Sequence, residues 1–326
     1  MVKNQLVTED YAIYESDCMY VMPTIESENI DLSIYSPPFA GLYNYSSSEN
    51  DFSNCESRDL FLDQYNYLIE QIARVTKPGR ITAVHVQDIR KDAADYQLWD
   101  FPHEVIKLHE KHGFKYVNRI TIWKEPLKVR MRTMVKSLMH KLIVEDATEC
   151  FTAMPDYVLI FKKKGENVIP VTHPVGLTHY AGTTPLLPPM VEKYGSLNDL
   201  KIKYANWKDP KTNKLSHIIW QRYASSVWDD IRIDEVLKFK ESKDEDDEKH
   251  VHPLQLDVID RIVELYSNPG EVILTPFMGV GSEVYSPVSM GRKAIGIELK
   301  ESYYNQAVKN LIRVKNRFEN NQIEMF

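Results

Sequence analysis

Two consecutive prolines set a firm limit on the backbone near the start of this chain. Pro37 and Pro38 directly follow the apolar run Ile30 to Tyr35, which has the composition of a buried β-strand. Neither proline can donate a hydrogen bond to a sheet, and each fixes its own φ angle, so the strand must end there. The sequence therefore predicts a rigid, extended loop at the carboxyl end of a strand, where open α/β sheets bind ligands.

The residues beside the prolines indicate what such a loop could hold. Ser36 offers a hydroxyl, Pro37 a backbone carbonyl and Phe39 a flat aromatic ring. These groups together suit a small planar substrate, of which an extruded nucleobase is one example. The same stretch is also typical of an ordinary turn or a polyproline linker, and taken alone it does not decide between these interpretations.

Bulk composition is that of an ordinary globular protein. The chain has 326 residues, 43% of them hydrophobic and 27% charged, which is enough for one large α/β domain with an insertion or for two modest domains. No apolar run approaches the roughly 20 residues of a membrane helix, and Met1 to Gln5 lacks the apolar core of a signal peptide. The three scattered cysteines predict neither a disulfide framework nor a metal site, so we expect a cytoplasmic protein without a bound metal.

Charge is distributed unevenly along the sequence. The net charge of −7 argues mildly against a polyanionic partner, yet ten basic and only two acidic residues lie between Lys107 and Lys141. Local fields decide whether a polyanion binds. A solvated helix face explains part of this run, whereas its dense centre predicts phosphate contacts from Lys128, Arg130, Arg132 and Lys136.

Apolar periodicity predicts a regular alternation of strands and helices. Helical spacing covers residues 57–76, 101–112 and the stretch after Pro253, and apolar strand-like runs cover 80–86, 115–123, 157–161, 271–275 and 293–297. We expect the motif Lys77-Pro78-Gly79 to separate the first helix from the strand that follows it. This alternation predicts an α/β fold with a doubly wound, mostly parallel sheet.

Residues 165–235 interrupt that alternation. They are rich in Pro, Thr, Tyr and Trp and carry no recognisable motif. For Trp220, Tyr223 and Trp228, core packing is favoured over base stacking, because large aromatic side chains dominate protein cores. The acidic stretch 241–249 that follows predicts a surface loop.

A second motif lies near the other end of the chain. Thr275 to Ser282 reads as a strand-to-helix turn with Gly279 and Gly281 two residues apart, and Glu298 ends the next strand. Such glycines let backbone N–H groups approach a ligand in front of a helix N-terminus, and an acid at that strand end binds ribose hydroxyls in Rossmann-type folds. The order predicts an adenosine-bearing cofactor, although Glu298 could also merely stabilise a helix N-terminus.

The two motifs together resemble the amino-group DNA methyltransferases that use S-adenosylmethionine, in the β-type motif order. That family has Asp, Asn or Ser before Pro-Pro and an aromatic residue near its N-terminus, and Asp-Pro-Phe-x-Gly-x-Gly near its C-terminus. This chain has Ser36-Pro37-Pro38-Phe39 first and Pro276-Phe277-x-Gly279-x-Gly281 last. The stretches Ser16-Asp17-Cys18 and His252-Pro253-Leu254-Gln255 and the pair Tyr303 and Ala307 also match family motifs.

The resemblance implies a Rossmann-like methyltransferase sheet with an inserted target-recognition region. It implies a catalytic half at 1–164, a target-recognition region with the acidic loop at 165–249, and a cofactor half at 250–326. S-adenosylmethionine would be the cofactor, bound by the following residues: Asp17, Gln255, Thr275, Pro276, Phe277, Gly279, Gly281 and Glu298. Two departures bear on cofactor affinity, since Thr275 replaces the family's Asp and Leu256-Asp257 replaces its Lys-Pro.

The resemblance also implies a mechanism. Ser36 and the Pro37 carbonyl would accept the N–H groups of an exocyclic amine, in a loop held rigid by Pro38, while Phe39 stacks on the flipped-out base. Ser in the first motif position favours cytosine N4 over adenine N6 as the target. A catalytically inactive DNA-binding protein and an RNA or protein methyltransferase remain alternatives. DNA is the expected partner, with no membrane, and a homodimer and an associated restriction endonuclease stay open.

Overall fold

A computed structural model provides the coordinates, which describe residues 1–38, 55, 57–90, 97–183, 188–239 and 253–323. The strands are β1 (Asn4–Val7), β2 (Tyr11–Glu15), β3 (Ile30–Tyr35), β4 (Thr76–Val86), β5 (Ile89–Arg90), β6 (Leu98–Trp99), β7 (Phe114–Ile122), β8 (Asp156–Lys163), β9 (Val227–Trp228), β10 (Val272–Thr275) and β11 (Lys293–Glu298). The helices are α1 (Cys18–Val21), α2 (Arg58–Val75), α3 (Phe101–Lys111), α4 (Pro126–Thr133), α5 (Leu142–Glu145), α6 (Pro188–Tyr194), α7 (Leu197–Tyr204), α8 (Lys214–Tyr223), α9 (Leu256–Tyr266), α10 (Ser282–Ser289) and α11 (Glu301–Ile323).

Nine strands form one sheet in the order β1-β2-β11-β10-β3-β4-β8-β7-β9. From β2 to β4 every neighbouring pair is parallel, whereas β8 runs antiparallel to both β4 and β7. The prediction of a mostly parallel α/β sheet is confirmed. The order also brings the N-terminal and C-terminal parts of the chain together, because β3 pairs directly with β10.

Helices cover both faces of the sheet. On one face α2 and α3 bury apolar side chains against β3, β4 and β8, with Tyr35, Phe61 and Phe161 fully buried. On the other face α9 packs Val258 and Ile262 against the opposite side of the same strands. The strands are apolar on both faces because both are covered, which is why they read as continuous hydrophobic runs.

The motif Lys77-Pro78-Gly79 does not separate helix from strand as predicted. α2 ends at Val75 and β4 begins at once with Thr76, so the motif lies inside the strand. The pairing of β4 with β3 shifts register here, between Ile30 and Leu32, and Gly79 takes a left-handed φ of +71°. A bulge accommodates the proline, which cannot take part in a regular ladder.

Residues 165–239 add helices α6 to α8 and the edge strand β9, which pairs with β7. The prediction of core packing is confirmed for Tyr223 and Trp228, which are buried, but it is wrong for Trp220, whose side chain is 59% exposed. Both buried rings lie against the guanidinium of Arg261 from α9, at 4.9 Å from each ring centre. Arg261 also contacts Asp230 at 2.8 Å. The acidic stretch 241–249 lies outside the described residues, and the proposed domain boundaries stay a prediction.

Candidate active site at the carboxyl edge of the sheet

Strand polarity collects polar side chains at one edge of the sheet. Ser36 follows β3, His85 is the second-last residue of β4 and Lys124 lies two residues beyond β7. The antiparallel strand β8 begins at the same edge with Asp156. Four separate strands thus contribute one polar side chain each to a small region around Ser36.

Ser36 contacts the histidine of the neighbouring strand. Its Oγ lies 2.9 Å from His85 Nδ1, and the other ring nitrogen, Nε2, lies 3.3 Å from Asp156 Oδ2. The second contact has the distance of an ion pair, but the two groups are not aligned as in a good hydrogen bond. A hydroxyl, an imidazole and a carboxylate therefore form a continuous chain of contacts.

Asp156 is held ionised at the far end of this chain. Burial alone would raise the pKa of this carboxyl, but Lys124 and His85 outweigh burial and hold the pKa at about 2. Lys124 Nζ lies 2.5 Å from Asp156 Oδ1. The carboxylate therefore keeps its negative charge throughout the neutral pH range.

The predicted glycine turn connects β10 to α10. Gly279 has a φ of +52° and Gly281 a φ of +95°, both of which favour glycine. The backbone N–H of Gly279 donates to Glu298 Oε2 at 2.8 Å, so the strand-end acid orients the turn. A Cβ built on Gly281 would lie 3.2 Å from the Cβ of Ala307 on α11, which explains why both positions hold small residues.

Two features of the turn fit a bound ligand. The Thr275 hydroxyl is fully buried and has no hydrogen-bond partner among the described residues. A buried polar atom of that kind costs about 1–3 kcal/mol unless something pairs with it. A Cβ built on Gly279 would meet no atom of the described residues within 4 Å, so the turn borders space that is empty of described protein atoms. A bound cofactor would place its ammonium group against the buried hydroxyl and its carboxylate end in the space beside Gly279.

Several other predicted cofactor residues lie nearby along the same edge. Asp17 directly precedes α1 and caps it, because its side chain accepts a hydrogen bond from the Met19 N–H. The N–H of the preceding residue, Ser16, donates to the Glu298 carbonyl. Pro276 is buried, and the Phe277 ring centre lies 6.1 Å from that of Tyr35, just before Ser36. Gln255 precedes α9 without capping it through its side chain. The Tyr35–Phe277 contact links the two motifs directly.

One buried acid follows the glycine turn. Burial, reinforced by the charge of Glu298, raises the pKa of the Glu283 carboxyl to about 8. Glu283 lies in the first turn of α10 and is protonated in a large fraction of molecules at neutral pH.

The predicted basic residues lie on one surface segment, residues 123–155, between β7 and β8. α4, every residue of which is described, buries none of its side chains, and Lys128, Arg132 and Lys136 are exposed while Arg130 is half-buried. The segment starts beside Lys124 and ends at Asp156, so both of its ends lie at the edge that holds Ser36. Exposed Leu127, Met131 and Met134 alternate with the basic residues.

The structure brings Ser36 to Pro38 close to the predicted cofactor turn, but Phe39 and His252 lie outside the described residues. Sequence reasoning missed His85 and Asp156 and counted Lys124 only as part of a basic run. The available signal was position, because each of the three lies within two residues of the end of an apolar strand. Strand partners that are distant in sequence were needed to recognise them as one group.

Comparisons with known proteins identify the family of this chain. A family model described as a DNA methylase of the N6/N4 group matches residues 30–309. The type II methyltransferase M.BamHI of Bacillus amyloliquefaciens is 24% identical over 298 residues, which cover 91% of this chain and 56% of that protein. The chain therefore spans little more than half the length of this relative.

Solved structures show the same fold. TTHA0409, a candidate DNA modification methylase of Thermus thermophilus, superposes with a TM-score of 0.59 at 18% identity, covering 94% of this chain and 95% of that one. The PvuII DNA methyltransferase, which is cytosine-N4-specific, superposes with a TM-score of 0.56 at 13% identity, covering 98% and 97%.

Proposed function

This chain belongs to the N6/N4 DNA methylase family, and on that premise we propose that it transfers a methyl group from S-adenosylmethionine to the exocyclic amine of a base in DNA. One observation supports the proposal above the others. The Ser36 loop and the glycine turn, about 240 residues apart in sequence, follow adjacent parallel strands, β3 and β10. A substrate at the first and a cofactor at the second would face each other across one strand spacing of about 5 Å.

One group of residues is assigned to binding the cofactor. S-adenosylmethionine supplies an electrophilic methyl group on a sulfonium. Glu298 binds the ribose hydroxyls, Gly279 and Gly281 let the backbone approach, and the Thr275 hydroxyl accepts a hydrogen bond from the cofactor ammonium. Asp17, Pro276, Phe277 and Gln255 complete the cofactor pocket.

The target amine is a poor nucleophile, because its lone pair is delocalised into the base. Ser36 Oγ and the Pro37 carbonyl accept its two N–H groups and direct the lone pair towards the methyl group, in a loop held rigid by Pro38. Catalysis is then mostly a matter of positioning and electrostatics. Phe39 is the proposed stacking partner of the extruded base.

Cytosine N4 is the proposed target, because Ser occupies the first motif position, and adenine N6 is the alternative. Lys128, Arg130, Arg132 and Lys136 are the proposed phosphate contacts.

The target base is identified from the reaction product. Duplex DNA is incubated with isotopically labelled S-adenosylmethionine and digested to nucleosides. Mass spectrometry is expected to find labelled N4-methylcytosine, whereas labelled N6-methyladenine would select the alternative.

Two variants test the assignment. Ser36→Ala is expected to lower the transfer rate by at least about tenfold, the value of one charge-assisted hydrogen bond. The control Ser27→Ala changes an exposed serine before β3, at the opposite edge, and should leave the rate unchanged. Full activity in Ser36→Ala would contradict the mechanism. Absence of S-adenosylmethionine binding by calorimetry would instead favour an inactive DNA-binding protein.

A further inference from the structure

Ser36 is the first member of a chain of polar contacts that runs through His85 and Asp156 to Lys124. Ser36 Oγ, His85 Nδ1, His85 Nε2 and Asp156 Oδ2 follow one another at 2.9 Å and 3.3 Å, and Lys124 closes the chain on the other carboxylate oxygen. His85 is mostly buried, with a side-chain exposure of 13%, and Asp156 is buried as well. Buried polar side chains of this kind are costly unless they are paired, so their convergence on one hydroxyl calls for an explanation.

We propose that His85 is the positioning residue for Ser36 and receives, through the Ser36 hydroxyl, the proton that methylation releases from the target amine. This inference rests on the proposed function. It assigns to His85 and Asp156 a role that the Ser-Pro-Pro motif alone does not contain.

Asp156 determines which nitrogen of His85 carries the proton. Because Nε2 faces a carboxylate, the imidazole keeps its proton on Nε2 and presents the lone pair of Nδ1 to Ser36. The Ser36 O–H then donates to Nδ1, which leaves both lone pairs of Oγ free to accept an N–H group of the substrate. A serine without this partner could rotate its proton towards the amine and oppose the same contact.

The proton transfer balances atom by atom. The amine lone pair forms the new N–C bond while the methyl–sulfur bond breaks, and its electron pair stays on sulfur. One N–H proton of the amine passes to Ser36 Oγ as the proton of Ser36 passes to His85 Nδ1. The imidazolium that results faces the Asp156 carboxylate and returns its proton to solvent between turnovers.

Lys124 forms an ion pair with the Asp156 carboxylate that faces His85. Its ammonium pairs with the Asp156 carboxylate at 2.5 Å, so the carboxylate that faces the imidazole is itself held in place by a second partner. The charged groups that the described residues place against His85 are therefore Asp156 from β8 and, through it, Lys124 after β7. A hydroxyl–imidazole–carboxylate chain orients and accepts protons in the same way in hydrolases.

The first experiment compares His85→Asn with wild type in single-turnover methyl transfer to DNA between pH 5.5 and 9. Asparagine retains an acceptor oxygen near the position of Nδ1 but cannot take a proton. The expected rate is about 100-fold lower, as for other lost acid–base groups, with the dissociation constants of S-adenosylmethionine and DNA within twofold. The pH profiles of the wild-type and variant rates should differ, because only the wild-type side chain can take up a proton.

His112→Asn is the matched control, because His112 follows α3 at the opposite edge of the sheet and contacts Asn66. It should retain both the rate and the pH profile of wild type. A rate for His85→Asn within threefold of wild type, with an unchanged pH profile, overturns the proposal while leaving the proposed function intact. A wild-type protein that methylates no DNA defeats the proposed function itself.

The second experiment does not depend on activity. Long-range ¹H–¹⁵N spectra of histidine-labelled protein report which ring nitrogen of His85 carries the proton, with His85→Asn providing the assignment. A neutral ring with its proton on Nε2 is expected, and Ser36→Ala should shift the Nδ1 resonance. A proton on Nδ1 at pH 7.5 would overturn the proposal whatever the enzyme does.

Discussion

At the residue scale, the proposed cofactor turn contains the buried hydroxyl of Thr275. Thr275 stands where the family has an acid, and its Oγ1 is fully buried without a partner among the described residues. Folding gains nothing from such an atom, whereas a bound ammonium would satisfy it. The departure from the family motif therefore changes the charge at this position but keeps an acceptor there.

Thr275→Val separates binding from folding. The variant should bind S-adenosylmethionine about tenfold more weakly, since a hydrogen bond to a charged group contributes about 1.5 kcal/mol or more, while its stability to urea stays equal or rises. Thr82→Val is the control, because Thr82 on β4 is equally buried and equally unpaired among the described residues. Calorimetry and urea titration measure the two effects, and equal affinities for the two variants would refute the role of Thr275.

Gly279→Ala tests the open side of the turn. The added methyl group would project into space that is empty of described protein atoms and that the cofactor needs, so affinity should fall at least about tenfold. Gly113→Ala controls for backbone strain, because Gly113 also has a positive φ and no described atom within 4 Å of a built Cβ, but it directly precedes β7 at the opposite edge. Calorimetry should find weaker binding in the first variant alone; weaker binding in both would point to strain instead.

The buried Glu283, just after the same turn, makes a pH-dependent contribution to stability. Because the folded protein raises the pKa of this carboxyl to about 8, folding holds a proton that the unfolded chain releases near its ordinary value of 4.5. The contribution of Glu283 to stability therefore falls as pH rises from about 5 to about 8, by about 1.4 kcal/mol for each unit of the shift. Glu283→Gln should flatten this slope in urea titrations at pH 5, 7 and 9, whereas the exposed-site control Glu301→Gln should keep it.

At the scale of elements, the surface segment 123–155 joins the basic residues to the active edge. Glu125 directly precedes α4 and its carboxylate caps the N–H groups of Leu127 and Lys128, while α4 itself contributes no buried side chain. Core packing therefore does not account for the sequence of α4. Its basic residues instead present positive charge next to Lys124, at one end of the chain of contacts that reaches Ser36.

Lys128→Gln combined with Arg132→Gln tests this surface as a phosphate-binding site. Loss of two contacts should weaken DNA binding and reduce the slope of log K against log salt by about 2. Lys111→Gln combined with Lys115→Gln removes the same net charge at the opposite edge of the sheet and should leave the slope unchanged. Titrations by fluorescence anisotropy at four salt concentrations give both slopes, and equal slopes would contradict the assignment.

At the scale of the whole molecule, a buried cation attaches residues 165–239 to helix α9. Arg261 on α9 is fully buried, pairs with Asp230 and donates to the carbonyl of Ala181 at 2.8 Å. Asp230 also accepts a hydrogen bond from the Tyr180 hydroxyl. The proposed target-recognition region is thus held to the sheet domain by a polar cluster inside an aromatic cage.

Arg261→Met should destabilise the protein by about 3 kcal/mol, because it removes one of the two buried-site cations paired with Asp230, leaving Arg222 at 3.1 Å, and removes the donor to the Ala181 carbonyl. Arg119→Met is the comparison, since Arg119 is only half-buried against the Tyr157 ring and should cost about 1 kcal/mol or less. Urea unfolding followed by circular dichroism measures both. A loss of less than 1 kcal/mol in Arg261→Met would show that the cluster does not carry the attachment.

The sequence by itself determined the central strands of the sheet, the longer helices that flank them and the two motifs. Pro37, Pro38 and the glycines of the turn restrict the backbone locally, so their effect can be read without knowing what lies nearby. The alternation of apolar runs likewise reflects local periodicity and burial on both faces of a sheet. Lys77-Pro78-Gly79 was misread because its conformation depends on pairing with β3, which local sequence does not contain.

Only the tertiary structure decided which side chains meet. His85 and Asp156 are 71 positions apart, and their contact exists because β8 pairs antiparallel with β4 and so begins where β4 ends. Thr275 became informative only when its hydroxyl proved to be buried and without a partner among the described residues. Strand order and burial are properties of the assembled sheet, because they depend on pairings between distant segments, and these pairings turn two separate motifs into one site.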